Sequence, residues 1–160
     1  ILARAGYSVV AATGKADADG YLRDLGAASV IAREAVLDEA NRPLLKARWS
    51  GAVDVVGGEY LASVLKAIEY GGYVAACGLV SSPDLPTSVY PFILRGVSLI
   101  GIDSQSWPMD DRQEVWHRLA GDWKLGRLDQ MAKEVKLGEL EPEIERILAG
   151  AQQGRVVVTL

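Results

Sequence analysis

Apolar residues along the chain fall into short, nearly unbroken runs, separated by longer segments in which they recur every third or fourth position. The runs predict strands at Ser8 to Ala12, Ser29 to Ala32, Ala52 to Val56, Tyr73 to Ala76 and Val97 to Ile102. They are rich in Val, Ala and Ile, the pattern of strands buried on both faces of a parallel sheet covered by helices. Between them, Asp19 to Leu25, ended by Gly26, and Tyr60 to Glu69, ended by Gly71-Gly72, predict helices. In the second of these, Leu61, Val64, Leu65 and Ile68 fall at i, i+3, i+4 and i+7 and share one face. Asp110 to Trp123 predicts a third helix, with two aspartates at its positive N-terminal end and Val115, Trp116, Leu119 and Trp123 turned inward. The rhythm is that of βαβ units, so the predicted fold class is α/β with a mainly parallel sheet.

From about Leu128 the rhythm changes and predicts a different layer. Ala132 to Leu137 alternates like a half-exposed strand, Glu139 to Ala149 is helical, and Val156 to Leu160 is a final strand. At the other end, Ile1 to Gly6 reads as the last turns of a helix closed by glycine, with no cap ahead of it. The expectation is a sequence that starts inside an element. Ser81 to Thr87, with two prolines, predicts a loop.

Composition narrows the classes. The 160 residues are 49% hydrophobic and 24% charged, which excludes a disordered chain. The longest stretch without a charge or strong polar group, Tyr73 to Val80, is far shorter than the ~20 residues of a membrane span, so no membrane partner is expected. A net charge of −4 lacks the basic field that a phosphate backbone requires, so no nucleic-acid partner is expected. Cys77 is the single cysteine, which excludes an internal disulfide and a Cys-rich zinc site and predicts a reducing, cytoplasmic setting.

Several chemistries are excluded by their missing motifs. The sequence has no G-x-S-x-G elbow, no phosphate-binding G-x-x-x-x-G-K-[ST] loop and no H-E-x-x-H. His117, the only histidine, lies inside a predicted helix without partners and reads as structural or solvated. Cys77 reads as a small buried hydrophobe rather than a nucleophile, because no base adjoins it.

The strand ends are more informative. In dinucleotide-binding folds an acidic residue there meets the adenosine ribose, whereas a cation accommodates a 2′-phosphate. Here the first strand runs into Thr13-Gly14-Lys15, with no carboxylate before Asp17. Thr13 can donate a hydrogen bond, Lys15 is a point charge for phosphate, and Arg33 follows the next strand. Taken alone, Thr13-Gly14-Lys15 is equally the sequence of a solvated turn. Val55-Val56-Gly57-Gly58, Ala76-Cys77-Gly78 and Gly101-Ile102-Asp103-Ser104 each end an apolar strand with backbone that a flat cofactor can approach. Asp103 is read either as part of that edge or as an ordinary strand-end cap.

Tyr90-Pro91-Phe92-Ile93-Leu94-Arg95, Gly101-Ile102-Asp103-Ser104 and Gly71-Gly72-Tyr73-Val74-Ala75-Ala76-Cys77-Gly78-Leu79 together resemble the zinc-independent quinone oxidoreductase branch of the medium-chain dehydrogenase/reductases. The nearest subgroup is the YhdH/YhfP type, which includes acryloyl-coenzyme A reductases. The resemblance extends over essentially the whole chain. It implies a Rossmann-like doubly wound sheet and an NADPH-dependent reductase that delivers hydride to an activated carbon–carbon double bond. The substrate implied is a small unsaturated carbonyl compound, such as an acyl-coenzyme A thioester or a quinone.

The same resemblance places Thr13, Lys15 and Arg33 at the 2′-phosphate and adenine ribose, and Val55, Val56 and Gly57 on the adenosine side. Cys77, Gly78 and Leu79 would meet the nicotinamide ribose, and Gly101, Ile102, Asp103 and Ser104 the nicotinamide. Gln153, Gly154 and Arg155 would add a contact from the loop before the last strand. It implies a homodimer through the Val97 to Ile102 edge strand, a partial cofactor domain at 1–127 and a segment at 128–160 associated with a catalytic domain. The glycine-rich pyrophosphate turn and the catalytic side chains of the family have no counterpart in these residues. With the first strand of that sheet lacking, two inner edges are expected, on Ser8 to Ala12 and Ala52 to Val56. Either these close on each other or another chain fills the gap. A non-catalytic dimerisation module is the alternative reading. A methyltransferase domain is disfavoured by Lys15, where such sites want an acid.

Overall fold

A computed structural model describes residues 1–160, in two compact units, Ile1–Ala32 with Arg112–Leu160 and, separately, Arg33–Asp111.

The second unit contains the core. Strands β3 (Trp49–Asp54), β4 (Ile68–Ala76) and β5 (Ser98–Gly101) form a parallel sheet in that order, connected by α2 (Gly58–Lys66) and α3 (Tyr90–Arg95). Register puts Ala52, Val74 and Leu99 side by side on one face. Leu61 and Leu65 of α2, with Ile68, Val74 and Val97, make the buried cluster, and Phe92 of α3 packs against it. The helical spacing of Leu61, Val64, Leu65 and Ile68 thus identified the correct face, although α2 starts two residues earlier and ends three earlier than predicted. Main chain at Glu69 to Gly72 joins the next strand, and the register shifts between Trp49 and Gly51 to accommodate it.

The expectation of strands buried on both faces is corrected here. Neighbours on the opposite face, Val53, Tyr73 and Ile100, are 59%, 60% and 44% exposed. The unbroken apolar runs do supply apolar residues to both faces, but the helices of this unit cover only one.

Helix α3 was not predicted, although its ends are written in the sequence. Pro91 occupies the first turn, where no backbone donor is needed, and Gly96 closes the helix in the left-handed region at φ 59°. Its last residue, Arg95, reaches across to the end of α2. Arg95 Nη1 donates to the Lys66 and Ile68 carbonyls at 2.9 and 3.0 Å, and Nη2 to the Leu45 carbonyl at 2.6 Å. A cation is also favourable at the negative end of a helix.

In the other unit, β1 (Val10–Thr13) and β2 (Ser29–Ala32) pair in parallel around α1 (Asp19–Asp24). Ile1 to Tyr7 forms turns, with Ala5 N–H donating to Ile1 and Gly6 N–H to Ala3. β1 pairs only with β2 and β3 only with β4, so the anticipated closure of the two inner edges on each other does not occur. Past the short helix α5 (Leu128–Met131), strands β6 (Ala132–Lys136) and β7 (Arg155–Thr159) form a third parallel sheet, crossed over by α6 (Leu140–Leu148). Helix α4 (Met109–Ala120) buries no residue, and Trp116 is 64% exposed. Its predicted inward face is corrected at Val115 and Trp116, which are exposed because no strand or helix packs extensively along it, while Leu119 and Trp123 are half-buried. His117 is exposed, as the solvated reading requires.

Two stability measurements test this packing. Arg95→Ala removes three charge-assisted bonds and leaves carbonyls short of donors, so urea unfolding should show a loss of roughly 2 to 4 kcal/mol. Arg95→Lys should recover little, because an ammonium cannot reproduce the fork. Asp38 accepts from Lys66 Nζ at 2.9 Å and from the amides of Ala40 and Arg42. The Lys66 hydrogen bond leads in holding its carboxyl below the usual aspartate range. A depressed carboxylate contributes stability above its unfolded pKa and loses it as pH falls through the folded value. Asp38→Asn should therefore be less stable than the native chain near neutrality, with the gap closing as pH falls below about 4.

Candidate functional site at the strand ends

The carboxyl ends of β3, β4 and β5 lie side by side and carry the predicted residues of the second unit. At the end of β3, Asp54 is buried, and its Oδ2 accepts from Gly57 N–H at 2.9 Å. The Asp54 carbonyl accepts from Cys77 N–H at 2.9 Å and from Cys77 Sγ at 3.3 Å. Asp54 was missed by sequence reasoning. Its signal was an aspartate three residues before Gly57-Gly58, the spacing of a side chain that folds back onto its own turn.

The next two strand ends are tied in the same way. Ser81 N–H donates to the Val56 carbonyl at 2.8 Å, and Ile102 N–H to the Ala76 carbonyl at 2.9 Å. The Ser81 to Thr87 loop is therefore anchored at its start, and Ser82 forms a bridge with Gly57. Gly57 and Gly78 serve this packing. A Cβ on Gly57, whose φ is +72°, would lie 2.4 Å from the Ser82 carbonyl oxygen, and one on Gly78 would lie 2.4 Å from that of Val55. At Gly101 nothing lies within 4 Å of that position. The outcome is a backbone ledge on which Val55, Leu79 and Ile102 are exposed, with Val56 half-buried.

Cys77 is exposed, which corrects its reading as a buried hydrophobe. Its thiol projects at the strand end, where the hydrogen bond to Asp54 replaces apolar cover. Asp103 does act as a cap: its Oδ1 accepts from the amides of Gln105 and Ser106, both at 3.0 Å. Ser104 follows it at the exposed end of the same strand.

In the other unit, Thr13 ends β1 in register with Ala32 of β2. Thr13 Oγ1 accepts from Lys15 N–H at 3.1 Å, and Lys15 Nζ donates to the Gln152 carbonyl. The structure therefore brings Lys15 to the loop that contains Gln153 and Gly154. Arg155, just beyond, turns back to the Gly154 carbonyl at 2.9 Å and is exposed.

Arg33, which opens the second unit, begins a 3₁₀ turn at Arg33–Val36 immediately after β2. Its Nε is buried and has no acceptor. No cluster of three or more His, Cys, Asp or Glu side chains is gathered for a metal ion. A surface concavity of about 370 Å³ lies elsewhere, against Leu37, Asp38, Arg42 and Leu45, and none of the strand-end residues lines it.

Comparison with known proteins agrees with this fold. A zinc-binding dehydrogenase family model matches residues 1–121. The acrylyl-CoA reductase AcuI of Ruegeria pomeroyi is 44% identical over 158 residues, which are 99% of this chain and 48% of that protein. The crystal structure of Bacillus subtilis protein YhfP with NAD bound matches with a TM-score of 0.93 at 50% identity, covering 99% of this chain and 49% of the other. That of Escherichia coli K-12 YhdH with bound NADPH matches at 0.91 and 44% identity, covering 98% and 48%. The chain spans about half the length of these relatives.

The role of the ledge glycines is open to direct test. Gly78→Ala sets a methyl against main chain that no side-chain rotation can clear, so it should cost roughly 1 to 3 kcal/mol in urea unfolding and raise amide exchange at Val55 to Gly58. Gly101→Ala, in open space, should stay within about 0.5 kcal/mol of the native chain. Equal costs at the two positions would contradict the close approach.

Proposed function

This chain belongs to the zinc-binding dehydrogenase family, in the quinone oxidoreductase-like group of the medium-chain dehydrogenase/reductases, and on that premise we propose that it is the coenzyme-binding part of an NADPH-dependent reductase. The reaction is hydride transfer to the activated double bond of an α,β-unsaturated carbonyl compound, an acryloyl-coenzyme A-like thioester or a quinone. The observation that carries this reading is the end of β1, where Lys15 stands in place of a carboxylate that would favour an unphosphorylated ribose.

The nicotinamide supplies the hydride chemistry when bound, and the chain supplies binding and orientation. Thr13, Lys15 and Arg33 take the 2′-phosphate side, and Val55, Val56 and Gly57 the adenosine. Cys77, Gly78 and Leu79 take the nicotinamide ribose, Ile102, Asp103 and Ser104 the nicotinamide, and Arg155 adds charge from the loop before β7. The flat ledge supports the placement of the rings, because exposed Val55, Leu79 and Ile102 lose water-facing apolar area when an aromatic group lies on them. A division at 127/128 assigns β6, α6 and β7 to contact with a catalytic domain, in keeping with their separate sheet. The outer edge of β5, unpaired in this sheet, is the surface for a second copy.

Lys15→Ala tests the coenzyme assignment. A charge-assisted hydrogen bond to phosphate contributes about 1.5 to 3 kcal/mol, so NADPH affinity in the full-length enzyme should fall roughly 10- to 150-fold while NADH affinity changes little. Fluorescence titration with both coenzymes measures it, and equal losses would remove Lys15 from the 2′-phosphate.

A further inference from the structure

The Arg33 guanidinium lies 5.2 Å from the centroid of the Tyr60 ring. Tyr60 is in the first turn of α2, half-buried and outside the buried cluster to which Leu61 and Leu65 of the same helix belong. The 3₁₀ turn that carries Arg33 packs on this helix. The other neighbour of the guanidinium is Glu34, with Nη2 to Oε1 at 3.6 Å and both side chains well exposed. An exposed ion pair of that length holds its partners weakly. With Nε also lacking an acceptor, Arg33 is held by an aromatic face and not by a committed anion.

We propose that Tyr60 is a positioning residue for coenzyme selectivity, its ring fixing the Arg33 guanidinium in the plane in which the fork meets a 2′-phosphate. This rests on the coenzyme reading above. An arginine recognises phosphate through a planar, bidentate geometry, and a freely rotating side chain gives up rotamer freedom to reach it. Stacking on the ring settles part of that loss before the ligand arrives. Glu34 yields the fork to the phosphate, which carries more charge. With the Arg33 fork turned to the phosphate, the ring acts on the distinction between phosphorylated and unphosphorylated adenosine more than on adenosine affinity itself.

Calorimetric titration of the full-length protein with adenosine 2′,5′-bisphosphate and with adenosine 5′-phosphate separates these effects. The native protein should prefer the bisphosphate, and Arg33→Ala should erode that preference. Tyr60→Leu should lower the affinity ratio roughly two- to fivefold, the range of an exposed cation–π contact, with the monophosphate unchanged. Tyr60→Phe keeps the ring and should keep the ratio. In an Arg33→Ala background, Tyr60→Leu should have no further effect on it.

Equal losses for both ligands in Tyr60→Leu would overturn the inference and make Tyr60 an adenine contact or a packing residue. A loss in Tyr60→Phe as large as in Tyr60→Leu would assign the effect to the hydroxyl and overturn it too, as would additive effects in the double variant. All of these leave the coenzyme reading standing. That reading fails, and this inference with it, when the native protein binds the two ligands alike.

Discussion

At the carboxyl ends of β3 and β4 the main chain packs against itself so closely that two positions have no room for a single side-chain carbon. Gly57 faces the Ser82 carbonyl and Gly78 the Val55 carbonyl, while the buried Asp54 carboxylate ties the Gly57 amide and its carbonyl ties Cys77. Interiors are close-packed and transmit strain, so this interlock sets the level of three strand ends at once. The ledge on which Val55, Leu79 and Ile102 stand exposed exists because the backbone beneath it cannot move apart or together.

The sheet supporting the ledge is one-sided. Its buried cluster fills the face under α2 and α3, and Arg95 at the end of α3 fastens to the carbonyls of Lys66 at the end of α2, Ile68 at the start of β4, and Leu45. The opposite face presents Val53, Tyr73 and Ile100 to solvent. Apolar surface at those positions contributes nothing to folding of this unit, since burial stabilises only what leaves water. Stability and binding are thereby divided between a face and an edge of one small sheet: side chains on the covered face decide whether it folds, and the main chain at its carboxyl end decides what can lie against it.

Electrostatics complete the picture through what is missing as much as through what is present. No carboxylate ends β1, and the cations that follow β1 and β2 are held by neutral or weak partners: Lys15 by the Gln152 carbonyl, Arg33 by the Tyr60 ring and a long pair with Glu34. Lys66, by contrast, is committed to Asp38 at 2.9 Å, with both side chains largely buried. The two kinds of cation differ in the charge they leave available: a buried, hydrogen-bonded pair is closed to a ligand, whereas a cation on a carbonyl or an aromatic face keeps donors for an incoming anion.

The sequence by itself determined the elements whose signals are local. Ser29 to Ala32 was placed to the residue, and the apolar spacing of Leu61, Val64 and Leu65 identified the inner face of α2, with Ile68, the first residue of β4, in the same cluster. The cationic strand end at Thr13-Gly14-Lys15 was legible because charge and strand termination are both written in adjacent residues. Helix α3 was equally legible in Pro91 and Gly96 but passed unread as structure, its residues being noticed first as a motif. Only the tertiary structure decided that Cys77 is exposed, that Gly57 and Gly78 serve loop packing, that α4 buries no residue, that Asp54 ties the end of β3, and that the Arg33 guanidinium lies over the Tyr60 ring. The reason is range: hydrogen-bonding and periodicity preferences act within one turn or one strand, whereas burial depends on which distant segment arrives, and no local pattern records whether it does.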